Sequence, residues 1–113
     1  MKVMYGKDAQ PYTPTGHYDV KCLRLHDQTT SGSAHLVMGA SYFLPKGGAA
    51  DFATVPEGVT LIYYIVYGEM TITTDQGEYV LQAGDSVCFN ENDGRSCKNT
   101  GDTPALMLVV MGR

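Results

Sequence analysis

The residues able to do chemistry in this 113-residue chain are few and scattered. Three cysteines, Cys22, Cys88 and Cys97, show no CxxC spacing and are odd in number, so they indicate neither a disulfide framework nor a zinc site. They read as free thiols, and no adjacent histidine marks any of them as a nucleophile. His17, His26 and His35 lie nine residues apart. That interval matches neither a helical pair nor a close strand pair, so they read as surface or packing histidines. Gly47-Gly48 is not followed by a helix whose N-terminus could hold a phosphate. Asp51 and Glu57 share one polar segment and form the only local carboxylate pair considered as a general base. Acidic residues are ordinary in such a segment. No catalytic motif is readable from local spacing alone.

The elements that would position these groups read as strands. Thr60 to Tyr67 is β-branched and aromatic and ends at Gly68. Met70–Thr74 and Glu78–Leu81 flank Asp75-Gln76-Gly77, a hairpin signal. Further runs follow at Ser86–Phe89, Arg95–Asn99 and Ala105–Met111. An earlier run, His35 to Leu44, is expected to stop at Pro45-Lys46-Gly47-Gly48 and give way to a long loop through Pro56-Glu57-Gly58. Turn signals recur roughly every 8–12 residues and no amphipathic helix of useful length appears, which predicts an all-β sandwich or barrel. Residues 1–33 are polar and irregular and are expected to be an N-terminal arm with one short strand at Tyr18–Leu23; residues 34–113 form the barrel domain.

Composition narrows the function classes. A net charge of −4 without Lys/Arg clusters argues against nucleic acid and anionic membranes as partners. No run approaches a membrane span or a signal peptide, so the expected location is cytoplasmic. The strand from Leu61 to Tyr67 is apolar on both faces, and Leu106–Met111 behaves likewise. One face belongs to the barrel interior. The other needs a cover, either the N-terminal arm or a second subunit, and a homodimer is the expectation.

From Gly48 onward the spacing resembles the two motifs of the cupin superfamily. Gly48 and Gly68 stand where the first motif places its glycines, and Gly84 and Asn99 match the ends of the second. Leu81-Gln82-Ala83-Gly84-Asp85 and Asn99-Thr100-Gly101-Asp102 resemble its characteristic turns. The resemblance implies a double-stranded β-helix, or jelly-roll barrel, with a pocket between its sheets. It would also imply a divalent metal held by three His and one Glu. Here those positions carry Thr54, Pro56, Leu61 and Arg95, so no metal and no cofactor is expected. A one-residue slip would bring Glu57 to the second His position, still one carboxylate only.

In that alignment Leu61, Tyr63 and Ile65 face the pocket, as do Arg95, Cys97 and Asn99, because strand side chains alternate. Arg95 is the sharpest candidate. A guanidinium withdrawn from water needs an anion, either Asp51 or Glu57 or the carboxylate of a small-molecule ligand. Tyr63 would donate a hydrogen bond or, with a pKa lowered beside Arg95, act as a general acid. Three functions follow: a metal-independent binder of small carboxylates; an isomerase, epimerase or decarboxylase-like enzyme on a carboxylate or sugar-derived metabolite; or an interaction module whose barrel is filled by Leu61, Ile65 and their neighbours.

Overall fold

The computed structural model describes residues 1–113, with every side chain except that of Ala50. Nine strands carry the fold: β1 (Gln10–Tyr12), β2 (His17–His26), β3 (Leu36–Thr54), β4 (Thr60–Tyr67), β5 (Glu69–Thr74), β6 (Gly77–Gln82), β7 (Ser86–Phe89), β8 (Gly94–Lys98) and β9 (Ala105–Gly112). The one α-helix, α1 (Gln28–Ser31), is a single turn capped by Asp27. Hydrogen-bonded order runs β6-β5-β8-β3-β9-β4-β7, with β2 on β3 and β1 on β2. Every pairing is antiparallel. The result is the expected all-β jelly-roll barrel, nearly closed.

The region before Leu36 carries two strands, β1 and β2, where one short strand was expected. The segment Tyr18–Leu23 lies inside the ten-residue β2, which pairs with β3 from Ala49 to Met38. Cys22 and Leu23 are buried by that pairing.

The chain from Leu36 does not stop at Pro45. It continues as β3 to Thr54, so the loop expected there is strand. Its first half pairs with β9 and its second half with β8, which carries it from one sheet to the other. At the corner the β2 register jumps between Tyr18 and Val20, and Asp19 and Lys46 both take positive φ, 49° and 71°. Pro45 falls in the unpaired stretch, where its missing N–H removes no ladder bond. The proline and the two glycines therefore mark a bend within the strand.

Along β4 Leu61, Tyr63 and Ile65 are buried and Ile62, Tyr64 and Val66 exposed, but Tyr67, expected on the inward face, is exposed beyond the register shift after Ile65. The inward residues join Phe43, Met70, Ile72, Phe89, Ala105 and Met107 in one core cluster. Two of the motif glycines have steric reasons. Gly68 adopts φ +83° and packs against Ala105, leaving no room for a Cβ. Gly48 lies so close to the Cys97 carbonyl that a side chain there would overlap it.

Candidate functional site

Inside the barrel the side chains leave a cavity of about 350 Å³, at the lower end of the range for small-molecule pockets. β4 supplies Leu61 and Tyr63 to its wall, β8 supplies Arg95 and Cys97, and the end of β3 supplies Asp51 and Ala53. A filled barrel therefore describes only the deep end, where Ile65 is fully buried and does not line the cavity.

Arg95 and Tyr63 meet across the sheets. Arg95 Nε donates to Tyr63 Oη at 3.2 Å, and Nη1 donates to the Ala53 carbonyl at 2.9 Å. These bonds fix the guanidinium plane, while Nη2 makes no hydrogen bond among the described residues. Tyr63 is held from behind by an edge contact with Phe89, ring centroids 5.3 Å apart. Because its oxygen accepts from Arg95, its own proton is free for another acceptor. Burial pushes the Tyr63 pKa up; the Cys97 thiol acts in the same direction, and Arg95 opposes both without prevailing. The expectation of a lowered pKa is thus corrected: at neutral pH Tyr63 is a protonated donor. Cys97 is likewise pushed up, to about 11, mainly by burial, so its thiol stays protonated and poorly nucleophilic.

Asp51 lines the cavity but does not neutralise Arg95; among the described residues the ion pair formed is Arg24–Asp27. Asp51 lies where the β3–β8 register shifts between Ala49 and Ala53, and its carboxylate packs against Gly16. At this irregularity Asp51 is exposed and makes no ion pair with Arg95. Glu57 is exposed and outside the cavity, since its segment is tied down instead by Gly58 N donating to Glu91 Oε2 at 2.8 Å.

Asn99 is also not a cavity residue. It is fully buried, and its amide nitrogen donates to the carbonyls of Phe43 (3.2 Å) and Thr103 (2.9 Å), while Oδ1 accepts from Gly101 N at 2.9 Å. Its backbone bonds to Lys46 and Gly47 hold the β3 corner. Of the eight residues expected at the site, Leu61, Tyr63, Arg95, Cys97 and Asp51 converge, and Ile65, Asn99 and Glu57 do not.

Among the cavity residues that escaped the sequence reading are three with polar or charged side chains from β1 and β2: Tyr12, His17 and Arg24. His17 donates from Nδ1 to the Thr15 carbonyl at 3.1 Å. Arg24 stacks over the Tyr12 ring, 4.3 Å from its centroid, and pairs with Asp27 at 3.3 Å. A three-residue strand containing Pro11 has no periodicity to read. The alternation of Cys22 and Arg24 on β2 was the available signal.

The four motif positions do not fit the metal that the fold family implies. Leu61 and Pro56 present carbon to the cavity, Thr54 is exposed and Arg95 brings a fixed cation. No three His, Cys, Asp or Glu side chains converge among the described residues. This donor set lacks the N, S or anionic O ligands of an ordinary transition-metal site.

Known proteins match along nearly the whole chain. The cupin domain family model covers residues 42–111. A Mycobacterium tuberculosis protein named Beta-D-galactosidase Rv1717 is 32% identical over 111 residues, spanning 98% of this chain and 93% of its own. Among solved structures, a predicted oxalate decarboxylase from Thermotoga maritima superposes with a TM-score of 0.81 at 19% identity, covering 98% of both chains. The polyketide cyclase RemF from Streptomyces resistomycificus superposes with a TM-score of 0.84 at 17% identity, over 99% of this chain and 79% of that one. At such identities these two share the fold, and nothing more follows from their chemistry. The barrel, its two-motif skeleton and the family match agree, and the chain belongs to the cupin domain family.

Proposed function

We propose that the protein is a cytoplasmic, metal-independent binder of a small carboxylate-bearing molecule. The observation that carries this reading is Arg95, a half-buried guanidinium oriented by Tyr63 and Ala53, with one nitrogen unpaired and no carboxylate closing on it. A ligand carboxylate would complete its charge and take the free Tyr63 proton as well. Free, unpaired cysteines support a reducing compartment. Thermal unfolding in the presence of cyclohexanecarboxylate tests the reading. Wild type is expected to be stabilised and Arg95→Met is not; equal responses would overturn it. Elemental analysis of the purified protein tests metal independence, and a stoichiometric transition metal would contradict it.

The relative's name favours a second reading, hydrolysis of a β-galactoside. Two-carboxylate glycosidases set acid and base roughly 5–10 Å apart. Asp51 is the one carboxylate among the described cavity residues, which weighs against that mechanism here. Release of nitrophenol from nitrophenyl β-D-galactoside, lost in Asp51→Asn, would favour the hydrolase. The homodimer is retained as part of the proposal, through the outward face of the sheet containing β4.

A further inference from the structure

The cavity has a second polar end, built by the N-terminal strands. Arg24 pairs with Gly39, Gly39 with Val109, and Val109 with Tyr63, so Arg24 and Tyr63 lie in one cross-strand row of the cavity wall. The Tyr12 hydroxyl reaches over this row. A Cβ placed on Gly39 would lie 3.4 Å from Tyr12 Oη, so the absence of a side chain at Gly39 leaves the space beneath that hydroxyl open. Tyr12, half-buried, makes no side-chain hydrogen bond among the described residues and keeps its hydroxyl open to the cavity, and burial pushes its pKa up, so the phenol is protonated at neutral pH.

The charge at this end differs from that at Arg95. The Arg24 guanidinium is already paired with Asp27 and stacked on Tyr12, so it presents no unbalanced cation. One end of the cavity offers a free guanidinium nitrogen and the other a free hydroxyl. A cavity of about 350 Å³ lies at the lower end for small-molecule pockets and limits the ligand to about one ring. Between the ends the wall is Val37, Val109 and Leu61, which suits the C–H face of a ring.

We infer that the pocket is built for a single-ring, hydroxylated carboxylate of the sugar-acid class, its carboxylate on Arg95 and a ring hydroxyl on Tyr12. The inference rests on the carboxylate reading of Arg95 and adds the second contact and the ligand's size.

Titration calorimetry with galacturonate, galactose and cyclohexanecarboxylate separates the two claims. Wild type is expected to bind galacturonate most tightly. Tyr12→Phe, which keeps the ring beneath Arg24, should weaken galacturonate roughly three- to ten-fold, the size of one neutral hydrogen bond. It should leave cyclohexanecarboxylate unchanged. Equal wild-type affinity for the two carboxylates, or equal losses in Tyr12→Phe, would overturn the sugar-acid inference while Arg95 remained a carboxylate site. Binding of galactose alone, or of none of the three, would overturn the Arg95 reading itself.

Discussion

Asn99, expected to serve the ligand, holds the barrel together instead, and Cys97, which lines the cavity, ties stability to pH; both make predictions. Asn99, itself fully buried, satisfies the buried Phe43 carbonyl and the part-buried Thr103 carbonyl and Gly101 N–H. Asn99→Ala should cost on the order of 2–4 kcal/mol by denaturant unfolding, because each orphaned group loses water without replacement. A cost below about 0.5 kcal/mol would show that the corner does not depend on it. Cys97 couples the fold to alkaline pH. Its ordinary value of 9.0 is raised to about 11 in the folded protein, by burial first. Below pH 9 both states hold the proton, so stability is unaffected there. Between pH 9 and about 11 only the folded state holds it, so unfolding releases a proton and stability falls as pH rises. The loss should reach on the order of 2–3 kcal/mol near pH 11. Cys97→Ala should show a shallower decline over the same window, measured as unfolding midpoints at successive pH values.

At the scale of elements, the corner of β3 decides how much of the molecule was legible. Turn chemistry and period-two patterning located β4 to β9 because each is short and closed by Gly, Asn or Asp. The same rules end β3 ten residues early, since Pro45-Lys46-Gly47-Gly48 carries every sign of a stop. What overrides those signs is tertiary: Asn99 binds Lys46 and Gly47, and β8 pairs with the continuation from Gly48 to Thr54. Asn99 illustrates the converse. Alternation put it on the face of Arg95 and Cys97, and only the return of the chain at Phe43 and Thr103 shows that it is consumed by backbone. The Arg95–Tyr63 meeting was readable because motif spacing aligned two strands, whereas Tyr12 and Arg24 were not, their strands having no counterpart in the motifs. Gly68 offers a test at this scale. Its φ of +83° and its contact with Ala105 both oppose a side chain, so Gly68→Ala should destabilise by more than the ~1 kcal/mol typical of conformational strain alone. A neutral outcome would mean that the β4–β5 junction shifts freely.

For the molecule as a whole, the unresolved demand is the outward face of the sheet that contains β4. Its cross-strand rows read Ile62–Val110–Met38 and Tyr64–Leu108–Ala40, apolar from one strand to the next. Ile62, Tyr64 and Val66 remain 39%, 44% and 39% exposed, high for large side chains in a continuous patch. Two covers are open to it, the N-terminal segment and a second copy. Of the N-terminal segment, β1 and β2 extend the sheet beside β3 and leave Ile62, Tyr64 and Val66 exposed. We propose the second copy, because a two-fold axis lets one apolar face serve both partners. Light scattering at micromolar concentration should therefore give about twice the 12.3 kDa chain mass. The paired change Tyr64→Glu with Leu108→Glu sets like charges opposite one another on neighbouring strands and, across the axis, against their own copies. That variant should run at the monomer mass with its cavity intact, so cyclohexanecarboxylate should still stabilise it. A wild-type chain that is monomeric at these concentrations would mean that the apolar rows are tolerated by solvent or covered by a different partner, and the dimer would have to be abandoned.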